Sequence, residues 1–194
     1  MNKSTLLFVV LLLSACASFD RTNILPGQRV AGLGFSFSVP TDKAWFAVEY
    51  GTSHRIKLSQ LNQDDRFTIL VSLNKGPRHG MYSSPETHLK TVRYFEKVEP
   101  VPVGLNILNH REWIDSRYGR LCVRQSSFAE DWRGRNKPGP AMIDSVMLSC
   151  PHQGFDNVLI SIELSRRYEK HAQEVDITSY ADALFSSLEF TDSD

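Results

Sequence analysis

The sequence predicts an α+β domain, a mostly antiparallel sheet of about seven strands with two packed helices. Three observations lead there. Short stretches rich in aromatic and β-branched residues recur from Phe35 to Leu164, most of them alternating apolar with polar residues and separated by turn residues. Only two stretches, one mid-chain and one at the C-terminus, carry the three-and-four spacing of an amphipathic helix. The chain after its opening segment has 179 residues, which suits one domain with a sizeable core.

The chain opens on a processing segment. Lys3 supplies a positive start, and Leu6 to Leu13 is an unbroken apolar run of eight. A bilayer-spanning helix takes about 20 residues, so the run is too short to cross and fits a signal peptide instead. Leu13-Ser14-Ala15-Cys16 follows and resembles the lipobox of bacterial lipoproteins. The resemblance implies cleavage before Cys16 and acylation of its thiol and new amino group. An ordinary secretory cleavage after Ala15 or Ala17 is the alternative. Acyl chains anchor by additive burial of methylenes, about 0.8 kcal/mol each, and two or three chains hold stably where one does not. In enterobacterial lipoproteins an Asp after the cysteine favours the inner membrane. Ala17 stands here, which implies the outer membrane, facing the periplasm. The expected organisation is a signal peptide at 1–15, a lipidated N-terminus and tether at 16–31, a domain at 32–190 and an acidic tail at 191–194.

Within the domain, Phe35 to Val39 alternates as a half-buried strand and stops at Pro40. Trp45 to Tyr50, His54 to Leu61 and Arg66 to Leu73 follow with turns between them, as in an antiparallel meander. Ser84 opens a helix as its cap, with Pro85 at the first helical position and Glu86 in the first turn. Leu89, Val92 and Phe95 mark its apolar face, and it ends before Pro100. Asn106 to Asp115 and Arg120 to Glu130 read as paired strands, then Ala141 to Cys150 and Asn157 to Leu164. Ser165 to Gln173 reads as a polar connector carrying Arg166, Arg167, Lys170 and His171. A final helix is expected over Thr178 to Glu189, with Ile177, Tyr180, Ala181, Leu184, Phe185 and Leu188 on one stripe.

Three cysteines divide as one plus two. With Cys16 acylated, Cys122 and Cys150 remain in an oxidising compartment, where a disulfide is expected. The loop 131–140 lies midway between them. An antiparallel hairpin around it places the two cysteines opposite one another, within disulfide reach. A redox or metal pair is the alternative, although no C-x-x-C is present.

The charge is balanced, 22 basic against 22 acidic residues, and leaves no basic footprint of a nucleic-acid binder. No P-loop, G-x-S-x-G or H-E-x-x-H is present. No cofactor or metal is expected, and the six histidines are scattered. Asp144, Ser145 and His152 contain the residue types of a hydrolytic triad, but Ser145 falls on a strand rather than a sharp turn. The loop residues Trp132, Arg133, Arg135 and Lys137 are the candidate partner-binding site. A basic loop beside an aromatic suits anionic head groups, glycans or a protein partner, or simply a solvated turn.

Gly34-Phe35-Ser36-Phe37-Ser38-Val39-Pro40, Trp45 soon after, the strand meander and the closing Ala183-Leu184-Phe185-Ser186-Ser187-Leu188-Glu189-Phe190 resemble the PsbP/Mog-like α/β/α sandwich superfamily, which includes small DcrB-like envelope lipoproteins. The resemblance spans about residues 33–190 and implies a non-enzymatic accessory or binding module. The function expected is therefore a lipid-anchored envelope protein, a non-enzymatic binding or accessory module whose unidentified partner would be an envelope protein. An envelope hydrolase acting on glycan, lipid or peptide, and a small-ligand or lipid carrier, are the alternatives.

Overall fold

The computed structural model describes residues 23–42, 44–52, 55–60, 65–75, 82–98, 100–134, 138–153, 155, 157–172 and 175–191. Cys16 and the signal segment lie outside them. The elements in order are β1 (Asn23–Ile24), β2 (Arg29–Gly32), β3 (Phe35–Ser38), β4 (Trp45–Thr52), β5 (Arg55–Ser59), β6 (Asp65–Lys75), α1 (Pro85–Val98), β7 (Leu105–Ile114), a 3-10 turn (Ser116–Tyr118), β8 (Val123–Asp131), β9 (Ala141–Pro151), β10 (Val158–Glu169), α2 (Ile177–Ser186) and β11 (Glu189–Phe190).

Eight strands form one antiparallel sheet in the order β1-β4-β5-β6-β10-β9-β8-β7, and β11-β3-β2 form a second. The class is α+β as expected, but the sheet is larger than seven strands and a small second sheet accompanies it. Alternation along each strand divides the large sheet into two faces. The first face carries Ile69, Val71, Val146, Leu148, Ile160, Ile162 and Leu164, all buried. It packs against α2 and the small sheet, whose Val30, Phe35 and Phe37 join the same core. The second face carries Val123, Gln125, Ser127, Ser145, Met147, Ser149, Ser161, Glu163 and Ser165. Helix α1 packs against β7 and β8, on this side, because Arg93 of α1 pairs with Glu112 beside Gln125.

Local chemistry accounts for the helix boundaries. The Ser84 hydroxyl accepts from the Thr87 N–H at 3.2 Å, capping α1. The Asp176 carboxylate accepts from the N–H groups of Thr178 and Ser179 and caps α2. Of the expected apolar face of α1, Leu89 and Val92 are half-buried and the Phe95 side chain lies outside the description, while His88 and Thr91 are fully buried.

Three expectations need correction. Residues 23–31, expected within a tether, include β1 and most of β2, because Ile24 and Val30 are buried in the core. The segment after Ser165, expected as a connector, continues β10 through Glu169, because Arg166 finds a partner inside. The closing helix ends at Ser186 rather than near Glu189. The Ser187 hydroxyl lies 2.7 Å from the Leu184 carbonyl and accepts from the Ser38 N–H at 2.9 Å, and Glu189–Phe190 then pair with β3. Among the described residues no helix is long and apolar enough to cross a membrane.

Candidate functional site

The cysteine pair sits where the hairpin arithmetic places it. Strand β8 pairs with β9 from Val123↔Ser149 to Asp131↔Ala141. One step further brings Cys122 opposite Cys150, with Cα atoms 4.3 Å apart and a disulfide between them. Both are buried in the α2-side core, which makes them a structural staple.

The candidate loop is tied down at its base. Asp131 ends β8 and accepts from Arg133 Nε at 2.7 Å and from Arg167 Nε at 2.9 Å. Burial alone would raise the Asp131 carboxyl, and the hydrogen bonds from Arg133 and Arg167 outweigh it and hold the carboxyl at about 2. Arg133 is thus engaged rather than presented. Trp132 remains 54% exposed, held by its N–H on the Gly104 carbonyl at 2.8 Å. Arg135 and Lys137 lie outside the described residues. Asp144, Ser145 and His152 do not converge. Asp144 accepts from the Tyr168 hydroxyl on the α2 face, Ser145 faces the other way, and His152 packs on Phe155 and Phe190.

Two arginines are sealed beneath the α2 face. Arg124, 1% exposed, donates to Asp182 of α2 and to Asp115 at 3.5 Å, with Trp113 and Phe185 rings against its guanidinium. Arg117 and Tyr118 complete this network on the same two carboxylates. Arg166, also 1% exposed, forms a two-pronged pair with Asp65 at 2.9 Å and lies over the Tyr168 ring. Every carboxylate in these clusters is matched by an arginine or a tyrosine hydroxyl, so both act as structural ties. An apolar groove of about 470 Å³ runs between α2 and the β3–β4 turn, lined by Val39, Pro40, Tyr180, Ala183 and Leu184.

The second sheet face carries chemistry that sequence reading missed. Register sets three rows across it. One row runs Val123–Ser149–Ser161–Ser72, the next Gln125–Met147–Glu163–Leu70, and the third Ser127–Ser145–Ser165–Thr68. Directly opposed hydroxyls meet at 2.9 Å (Ser149 and Ser161) and 2.8 Å (Ser127 and Ser145). Ser161, Glu163, Ser165, Thr68, Leu70 and Ser72 are all half-buried, as are Ser145 and Met147. His110, Gln125, Ser127, Ser145, Met147 and Glu163 line a depression of about 120 Å³ here. At its rim His110 Nε2 lies 3.5 Å from Glu112, whose other oxygen accepts from Arg93 at 2.5 Å.

Glu163 differs from the other carboxylates of the sheet. It keeps partial exposure at the mouth, yet protein surrounds its carboxyl on most sides. Burial raises its pKa with no opposing contribution. Among the described residues it has no hydrogen-bond or ion-pair partner. The signal was present in the sequence as polar residues at 161, 163 and 165, in phase with Ser145 and Ser149 on either side of Met147. Reading it needed the knowledge that β10 lies beside β9 and β6.

No protein-family model matches the chain, and no curated protein matches it. Among solved structures it is similar to the solution structure of cyanobacterial PsbP (CyanoP) from Synechocystis sp. PCC 6803, over 92% of this chain and 98% of that chain, at 14% identity and a TM-score of 0.48.

Proposed function

We propose that this chain is a lipid-anchored protein of the bacterial cell envelope, held through Cys16 in the outer membrane and facing the periplasm, whose single domain is a non-enzymatic module that binds a protein partner. The order of positive start, apolar run and Leu13-Ser14-Ala15-Cys16 supports the anchor. The observation that carries the binding role is the second sheet face, a half-exposed field of aligned hydroxyls around an unpaired carboxyl. Glu163 is half-buried at the depression, and among the described residues no partner meets its carboxyl, which supports a surface that pairs with a group brought from outside.

Intact mass of the membrane-extracted protein tests the anchor. Residues 16–194 plus two or three acyl chains is the expected mass, and an unlipidated chain overturns it. A photo-crosslinking residue at Ser165, with the exposed Thr178 of α2 as control, tests the docking face in living cells. The expected result is one discrete adduct from Ser165 and none from Thr178, with an envelope partner that crosslinks back to the same face. No discrete adduct from positions on this face overturns the reading.

One observation favours a second reading, an envelope hydrolase. His110 pairs with Glu112 and stands directly across from Ser127. Labelling of Ser127 by a fluorophosphonate, lost in His110→Gln, would establish it, and an unlabelled Ser127 would remove it.

A further inference from the structure

We infer that the depression at Glu163 receives one cationic side chain, a lysine ammonium or an arginine guanidinium, presented by a polypeptide lying along the sheet face. The inference rests on the reading of that face as a docking surface and names what it recognises.

Charge is the first argument. A carboxyl partly withdrawn from water favours its neutral form until a cation pairs with it, and a cation brought beside it restores the charged form. The cations on this face do not serve Glu163. Arg167, four residues along β10, is held by Asp131. Lys57 lies beyond Leu70 in the same row, with no ion pair to Glu163. A cation from outside supplies the missing partner, and such pairing sets register and specificity in protein contacts.

Size is the second. A water occupies about 30 Å³ of liquid, so about 120 Å³ holds roughly four waters or one small head group. Cofactors and drug-sized ligands take about 300–1,000 Å³. The walls suit a long basic side chain. Met147 lines the depression directly opposite Glu163 on the neighbouring strand β9, where an aliphatic stem would lie on it while its charged tip meets the carboxylate. Ser127 and Ser145 add hydroxyl oxygens beside it.

Spacing is the third, and it selects a polypeptide. The hydroxyl rows flank the Glu163 row at two residues on either side, about 6.6–6.8 Å along a strand. An extended chain repeats its same-side residues at that interval.

The test uses the full chain in detergent micelles, labelled at methionine methyl groups. Met147 is the reporter, and Met142, buried on the α2 side, is the internal control. The probes are the blocked single residues of lysine and arginine, their neutral counterparts norleucine and citrulline, and ethanolamine as a lipid-head-group arm. The Met147 methyl should shift saturably with lysine or arginine. Binding of the neutral probes, of ethanolamine, and of either cation to Glu163→Gln should be weaker by about tenfold or more, as expected for one charge-assisted pair. An unmoved Met142 shows that the fold is retained in the variant.

A silent Met147, equal response to citrulline, or undiminished binding to Glu163→Gln overturns the cation pocket. Equal affinity for ethanolamine overturns the polypeptide source. A Ser165 crosslink with a silent Met147 keeps the docking face and removes the pocket. A cation-specific Met147 response with no crosslink overturns the docking reading, and the polypeptide source with it.

Discussion

Arg124 of β8, sealed from solvent, donates to Asp182 on the facing side of α2 and so ties the helix to the sheet across the core. Burial alone would raise the Asp182 carboxyl, and the hydrogen bonds from Arg124 and Tyr118 hold it below its ordinary range. Replacing one partner leaves a charge stranded, which costs about 3–5 kcal/mol in buried pairs. Asp115 still faces the guanidinium, so Asp182→Ala should cost about 2–3 kcal/mol, below that range. The double variant Arg124→Met/Asp182→Leu should recover most of the loss, because apolar replacement of both partners is often near neutral. Urea denaturation of the three proteins checks this. A double variant no more stable than Asp182→Ala would mean that the pair does more than compensate its own burial.

The Cys122–Cys150 link closes a separation of 28 residues. The chain-entropy model assigns such a loop about 3–4 kcal/mol. Cys122→Ala/Cys150→Ala should lower the urea midpoint accordingly, with a steeper slope because the unfolded chain without its cross-link exposes more surface. Alkylation of the native chain should label neither cysteine before reduction.

Asp131 gives the hairpin base an acid-sensitive clamp. Its ordinary value of 3.8 falls to about 2 in the folded chain. The folded value is depressed, so the contribution is fully present above about pH 4 and is lost as pH falls through about 2. Its size is on the order of 2 kcal/mol. Asp131→Asn should therefore be destabilised at pH 7 and match the parent near pH 2. Paired urea titrations at the two pH values check it, and an equal deficit at both would refute the assignment.

His88 is wholly buried, with Nδ1 2.6 Å from the Leu121 carbonyl and the Tyr82 ring edge-on. Burial lowers its pKa, and the Leu121 carbonyl opposes that only in part. The unfolded chain binds the proton more readily, so stability should fall as pH drops from about 6.5 through the folded value. Thermal melts at pH 7.5 and 5.5 should show a drop that is smaller in His88→Gln, the remainder coming from the buried His152, whose pKa burial also lowers.

The Asp176 side chain satisfies two N–H groups at the start of α2. Asp176→Ala should cost about 1 kcal/mol. Asp176→Ser should restore most of it, which separates loss of the cap from loss of charge.

Much of the fold was legible because its signals are local. Alternation marked most of the long strands, Ser84 and Pro85 marked the start of α1, and the position of loop 131–140 between two cysteines predicted their pairing. Those signals depend on neighbours a few residues apart, or on one hairpin, whose register follows from its turn. The short strands β1, β2 and β11 were not legible. Two to four residues carry too little periodicity, and only the core they complete makes them strands. Arg166 and Arg167 misled for a related reason. A charged residue reads as surface until a carboxylate from another strand, Asp65 or Asp131, is brought beside it.

For the opening segment only the sequence speaks, since the proposed lipid anchor rests on the four-residue motif Leu13-Ser14-Ala15-Cys16, which needs no fold. The α+β class and the cysteine pairing were also set by order along the chain. The site at Glu163 was decided only in three dimensions. Sequence places a glutamate among serines on one strand. Sheet order puts Leu70 and Met147 beside it, half-buries it and, among the described residues, leaves its carboxyl unpaired, because a residue's neighbours across strands are set by topology rather than by sequence distance.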